Sequence, residues 1–111
     1  MKLPRIIEEK LDELILICNR FGVKQIFAFG SVVTTRFSPD ESDLDFFVEM
    51  DEMPPLARGE KLIAFWEACE DLFARRIDLV TEQSIRNPYF RSNVERTKQL
   101  IYDRAAQEVL K

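Results

Sequence analysis

Two aspartates two positions apart, Asp43 and Asp45, are the residues of this chain whose spacing points most directly to chemistry. They lie in the run SDLDFFV, residues 42–48, whose apolar end is typical of a strand. Side chains alternate across a strand, so both carboxylates should point to one face. Parallel carboxylates repel each other, and a divalent cation is the commonest reason for such a pair because hard cations take carboxylate oxygens.

A third acid, Asp78, lies in a second short apolar run, residues 77–80. If it meets Asp43 and Asp45 at one end of a sheet, the three carboxylates raise one another's pKa unless a cation neutralises them. Mg²⁺ suits this need, since it is usually held by carboxylates together with substrate phosphates, and two such ions can bridge three carboxylates. The alternative for Asp78 is an ordinary ion pair with Arg75 or Arg76.

Gly30 and Ser31 directly follow a short apolar run, residues 23–29, that reads as a buried strand. Glycine lets the backbone approach a phosphate closely, and amides at the start of a helical turn, with the Ser31 hydroxyl, can bind an anion. Alone, such a pair is more often a plain turn. Beside the carboxylates it predicts a nucleotide site, because phosphoryl-group transfer needs mainly positioning and charge stabilisation.

The elements that must position these residues alternate between helix and strand, which indicates a small α/β domain with helices packed on a short mixed sheet of about three strands or more. We expect one domain over residues 1–111. The patterns predict helices over residues 4–21 and 56–73, strands over 23–29, 43–50 and 76–80, and a C-terminal helix after Pro88 that carries Phe90, Val94, Ile101 and Ala105.

Composition excludes several functional classes. The 111 residues carry a net charge of −4 and no histidine, which argues against broad nucleic-acid binding and rules out histidine-dependent zinc sites and triads. Cys18 and Cys69 fall on apolar stripes and are expected to be reduced and buried. No stretch approaches the ~20 apolar residues of a membrane span, and the charged N-terminal segment is unlike a signal peptide, so we expect a cytoplasmic protein.

Taken in order, Gly30-Ser31, Asp43-Leu44-Asp45 and Asp78 resemble the signature of the DNA polymerase beta-like nucleotidyltransferase superfamily, and the small size resembles its minimal branch. The segment after Asp78, with Asn87-Pro88-Tyr89-Phe90-Arg91, is similar to the closing part of those proteins. The resemblance spans roughly residues 5–102.

The resemblance implies the nucleotidyltransferase fold and an enzyme that takes a nucleoside triphosphate such as ATP together with Mg²⁺, expected as two ions, and transfers a nucleotidyl group to a hydroxyl. Asp43, Asp45 and Asp78 would be the metal ligands and catalytic residues. Many minimal members are antitoxins encoded beside a HEPN-type ribonuclease toxin, which they neutralise by adenylylating a tyrosine and by binding. A homo- or hetero-oligomer is therefore a possible outcome.

The segment after the serine departs from the family, since Val32-Val33-Thr34-Thr35-Arg36 stands where a small residue, a basic residue and a glycine are usual. Arg36 is the candidate replacement for the basic residue, and Gly30, Ser31, Arg36 and Ser42 are the predicted nucleotide-binding residues. Three alternatives stay open: an antitoxin that only binds, transfer to a small molecule or RNA, and a structural α/β domain without a ligand.

Overall fold

The computed structural model describes residues 3–30, 43–104 and, by their backbone, 108–109. Helices pack on a short mixed sheet, which confirms the predicted α/β class. The elements in chain order are α1 Arg5–Glu8, α2 Leu11–Phe21, β1 Val23–Phe29, β2 Leu44–Met50, α3 Pro55–Phe73, β3 Ile77–Val80, a 3-10 turn Glu82–Ser84, α4 Pro88–Thr97, β4 Gln99–Asp103 and β5 Glu108–Val109.

The sheet has the strand order β3-β2-β1-β4-β5. Strands β2 and β3 are parallel and are connected through α3, as a parallel pair requires a long crossover. The pairs β1–β2, β1–β4 and β4–β5 are antiparallel. This arrangement places the end of β1 beside the starts of β2 and β3, so the three segments with candidate site residues share one edge of the sheet.

The two faces of the sheet carry separate apolar clusters. The larger cluster fills the space between the sheet and helices α1, α2 and α3, and its members include Ile7, Leu14, Ile26, Leu44, Phe46, Val48, Phe65, Cys69 and Ile101. The smaller cluster lies under α4 on the opposite face and consists of Phe29, Phe47, Ile85 and Val94, with Phe27 and Val80 packed against it. Strand β2 alternates as predicted, so Phe46 faces the large cluster and Phe47 the small one.

Local sequence signals explain several helix boundaries. Helix α2 ends at Gly22, which adopts the left-handed conformation with φ +76° expected of a glycine at that position. Helix α4 begins after Asn87, whose side-chain oxygen accepts from the Tyr89 amide at 2.8 Å, and Pro88 occupies the first helical turn. Among the described residues, no helix combines the length and apolar content needed to cross a bilayer.

Two predicted helices differ from the structure. The predicted helix over residues 4–21 is two helices, because Lys10 leaves helical geometry with φ −115°. The predicted C-terminal helix is wrong beyond Thr97: Ile101 lies in strand β4, and Ala105 falls outside the described residues. The free edge of β1 needs hydrogen-bonding partners, and β4 supplies them while burying Ile101 completely, so tertiary pairing overrides the local helical spacing.

Candidate active site

Asp45 and Asp78 are direct neighbours on adjacent parallel strands. They are register partners in the β2–β3 pair, and their side chains are hydrogen-bonded to each other. On the other side of β2, Asp45 is the register partner of Phe29, the last residue of β1. The sequence therefore placed two of the three candidate acids correctly on one face and at one edge of the sheet.

The environment of Asp45 favours its protonated form. Burial raises the pKa of its carboxyl to about 7, reinforced by the hydrogen bond with Asp78 and by the negative charges of Asp78 and Asp43. The Asp45 carboxyl is therefore partly protonated around neutral pH. Asp45 and Asp78 would hold a divalent cation, whose charge would replace that proton.

Asp43 lies immediately before β2, at the same edge, but its carboxylate has a different neighbour. Arg76 Nε lies 4.0 Å from Asp43 Oδ2; the Arg76 side chain is 79% exposed and that of Asp43 38%. The sequence offered an ion pair with Arg75 or Arg76 as the alternative for Asp78, and the structure has Arg76 paired with Asp43. In the described part of the chain, no group of three or more Asp, Glu or Cys side chains is arranged to hold a metal ion. The Asp45–Asp78 pair alone matches the one or two carboxylates with which Mg²⁺ is usually held beside phosphates.

Gly30 directly follows β1 and packs against Asp45. Its φ of +72° lies in the left-handed region that favours glycine, and a Cβ at this position would overlap Asp45 Oδ2 and lie 3.4 Å from Asp45 Cγ. Only glycine leaves both the backbone turn and the Asp45 carboxyl in place. The glycine predicted to let a phosphate approach therefore also makes room for an acidic side chain.

Helix α4 holds the Gly30 amide in position. The Gly30 N–H donates to Thr97 Oγ1 at 3.2 Å, and the Thr97 hydroxyl donates to the Asn93 carbonyl at 2.8 Å. Sequence reasoning missed Thr97 and Asn93, because no local pattern links residue 30 to residues 67 and 63 positions away. The Gly30 amide is used within the chain, and the amides after it, which the sequence predicts as phosphate donors, lie outside the described residues.

The carboxylate pair faces a cavity of about 360 Å³. This volume lies within the range of small-molecule sites in proteins, roughly 300–1,000 Å³. The cavity combines the acids with an aromatic wall, in which Phe90 packs edge-on against Phe29 at 5.8 Å between ring centroids. Its lining residues are Phe29, Gly30, Asp45, Asp78, Leu79, Val80, Phe90 and Asn93.

Three predicted nucleotide-binding residues, Ser31, Arg36 and Ser42, lie outside the described residues. The described segments end at Gly30, which lines the cavity, and resume at Asp43.

Comparisons with known proteins agree on one family. Residues 11–101 match the family model of the nucleotidyltransferase domain. A Methanocaldococcus jannaschii protein provisionally named a protein adenylyltransferase is 35% identical over 89 residues, which cover 78% of this chain and 83% of that protein. The protein adenylyltransferase MntA of Thermococcus cleftensis is 38% identical over 69 residues, covering 62% of this chain and 66% of MntA.

Solved structures give the same result for the fold. A structure provisionally described as a minimal nucleotidyltransferase superposes with a TM-score of 0.61 and 26% identity, covering 89% of this chain and 95% of that chain. A chain from the complex of a tri-AMPylated Shewanella oneidensis HEPN toxin with an MNT antitoxin superposes with a TM-score of 0.53 and 18% identity. That match covers 84% of this chain and 69% of that chain, and it shows the fold alone.

Proposed function

The chain belongs to the nucleotidyltransferase domain family, and from that premise we propose that it is an antitoxin that transfers AMP from ATP to a tyrosine of a HEPN-type ribonuclease toxin. The names of its relatives, protein adenylyltransferases, support the choice of AMP and of a protein acceptor. The Shewanella oneidensis complex, in which a HEPN toxin carries AMP beside an MNT antitoxin, supports the partner.

The observation that carries this proposal is the Asp45–Asp78 pair beside Gly30 at the edge of a cavity. Asp45 and Asp78 would hold Mg²⁺ together with the phosphates of ATP, and Asp43 would join them by turning away from Arg76. Bound Mg²⁺ would neutralise charge on the triphosphate and orient it. Gly30 and the residues after it, with Ser31, Arg36 and Ser42, would hold the triphosphate.

The reaction asks three things of the protein's own residues. The acceptor oxygen must reach the α-phosphorus, so that its bond to phosphorus forms as the bond to the β-phosphate oxygen breaks and pyrophosphate leaves. The hydroxyl proton must go to a nearby base, and Asp78 lines the cavity where it can accept it. The third requirement is an apolar surface beside the reacting groups, which Phe29 and Phe90 supply in the lining of the same cavity.

The test is transfer of labelled AMP from ATP to a co-expressed HEPN-type protein with Mg²⁺ present. We expect Asp45→Asn and Asp78→Asn to lower the transfer rate by at least 100-fold, and Asp43→Asn to lower it as well. The matched control is Asp12→Asn on the exposed face of α2, which should leave the rate unchanged. Undiminished transfer by Asp45→Asn would refute the proposed site, and transfer to tRNA in place of the protein would refute the proposed acceptor.

A second candidate function is an antitoxin that acts by binding alone. The ion pair between Asp43 and Arg76 favours it, because it gives one predicted ligand a partner other than a metal ion. Protection of cells that co-express the toxin distinguishes the two candidate functions. Full protection by the Asp43→Asn/Asp45→Asn double variant would support binding, whereas loss of protection in a variant that still forms the complex would support AMP transfer.

A further inference from the structure

The solvent-facing side of α3 carries apolar side chains that are largely or partly exposed, and Trp66, the most covered of them, donates its indole N–H to the Ile77 carbonyl at 2.7 Å. Leu56 is 76% exposed, Ile63 57% and Trp66 39%. At about 100° per residue, Leu56 and Ile63 lie within about 20° of each other around the helix axis, on the side opposite the buried Phe65. We call this surface the outer face of α3; it comprises Leu56, Gly59, Glu60, Ile63, Trp66, Glu67 and Asp71.

Gly59 lies in the middle of this face, and no contact within the described part of the chain requires a glycine there. It occupies an ordinary helical position, unlike Gly22 and Gly30 with their positive φ, and an added Cβ would meet nothing within 4 Å. A glycine inside a helix costs about 1 kcal/mol relative to alanine. Nothing within the described chain accounts for that cost, whereas close approach of another molecule would.

The spacing around Gly59 has the geometry of a helix-packing hollow. Residues i, i+3, i+4 and i+7 of a helix surround one hole into which a side chain of a facing helix inserts, and here they are Leu56, Gly59, Glu60 and Ile63. The missing side chain at Gly59 deepens this hole, and distances between packed helices shorten when the residues at the contact are small. The outer face therefore fits an α-helix with an apolar side chain for the hollow.

The charges on the outer face are acidic. Glu60 borders the hollow, and Glu67 and Asp71 follow roughly 12 Å and 18 Å from Gly59 along the axis; all three are exposed and lie within about 80° of Ile63 around it. The basic residues Arg58 and Lys61 lie within about 40° of the buried Phe65 and so point to the other side of the helix.

We propose that the outer face of α3 docks a helix of the partner protein, and that this helix carries an apolar side chain for the Gly59 hollow flanked by Lys or Arg. Basic residues on the partner complement Glu60, Glu67 and Asp71. A second copy of this chain would bring two acidic rims together, which disfavours self-pairing at this surface.

This surface lies on the opposite side of the sheet from the carboxylate pair. Phe65 and Cys69 of α3 pack into the large cluster, whereas Asp45 projects to the face of the small one, with Phe47. A helix docked on α3 therefore leaves the cavity at Asp78 and Phe90 accessible. The inference rests on the proposed function only for the identity of the partner, a HEPN-type protein.

The test measures binding of full-length chain variants to the co-expressed HEPN-type protein. Gly59→Leu fills the hollow without an internal clash, so we expect an unchanged or higher Tm together with a Kd at least tenfold weaker. The Glu60→Lys/Glu67→Lys double variant should also bind at least tenfold more weakly. Leu16→Lys is the matched control, since Leu16 is 69% exposed on α2, outside this face, and its Kd should not change.

Binding of Gly59→Leu with the wild-type Kd would overturn the docking surface. Sedimentation of the chain alone is a second test. If the chain forms a dimer that Gly59→Leu dissociates, the molecule that occupies this surface is a second copy of the chain and not a basic helix of the partner. Asp45→Asn separates this inference from the proposed activity. The Asp45→Asn variant should bind the HEPN-type protein with the wild-type Kd and transfer no AMP. The prediction for binding by Gly59→Leu and the prediction for transfer by Asp45→Asn can therefore fail independently.

Discussion

Gly30 and Asp45 are in direct contact across the β1–β2 pair, and the carboxyl of Asp45 occupies the space that a side chain at residue 30 would need. The same carboxyl is hydrogen-bonded to Asp78 on the next strand. One acidic side chain thus connects the backbone turn after β1 with the second acid of the site. Changes at residue 30 should therefore alter both the turn and the carboxylate pair.

Gly30→Ala should reduce both stability and activity. The methyl group overlaps Asp45 Oδ2, and a left-handed φ costs a residue with a Cβ roughly 1–2 kcal/mol. We expect a lower free energy of unfolding by at least that amount and an AMP-transfer rate reduced at least tenfold, measured by denaturant unfolding and the labelled-ATP assay. Gly59→Ala is the control, since its Cβ meets nothing and should raise stability. Equal stabilities of the two variants would contradict the Gly30–Asp45 contact.

Asp45→Asn should stabilise the metal-free protein above neutral pH. The folded pKa of Asp45, about 7, lies above the ordinary 3.8, so folding favours the protonated carboxyl. Its stabilising contribution is complete below pH 4 and is lost as the pH rises through 7. With EDTA present, the variant should gain about 1–2 kcal/mol over wild type between pH 4 and pH 8, a figure reduced for the partial exposure of the group. A constant difference in Tm across this range would contradict the raised pKa.

Thr97→Val should make the turn at Gly30 less firmly held. Valine keeps the shape of threonine but removes the oxygen that accepts the Gly30 N–H, which costs about 1 kcal/mol for a typical hydrogen bond. Because Thr97 acts through Gly30, we expect the KM for ATP to rise several-fold with a smaller change in kcat. Thr97→Ser retains the hydroxyl and should restore KM. A Thr97→Val enzyme with an unchanged KM would show that this bond does not position the ATP site.

Cys18 and Cys69 should be unreactive in the native protein. Both are fully buried and unpaired, and burial raises the pKa of Cys18 to about 12 and that of Cys69 higher still, so almost no thiolate forms at neutral pH. A thiol reagent such as DTNB should label neither residue in native protein at pH 8 and both after denaturation. Rapid native labelling would show that the large cluster opens.

The sequence by itself determined the strands that form the site. Strand β1 has the bounds that its apolar run predicts, and Leu44–Met50 alternates between the two clusters as its pattern requires. The position of Asp43 and Asp45 at the start of one strand and the presence of Asp78 on another were also readable, because period-two alternation and short apolar runs are local properties of a chain. The nucleotidyltransferase family followed from the order of those residues.

Only the tertiary structure decided which acids touch, since side-chain contact depends on strand register. The β2–β3 pairing joins Asp45 to Asp78, whereas Arg76 lies beside Asp43. It also decided that residues 99–103 form a strand and that Thr97 holds Gly30, because both depend on contacts between distant parts of the chain. The spacing of apolar residues in a segment indicates how that segment can bury its side chains. The hydrogen-bonding partner of a strand edge or of a single amide depends on the whole fold.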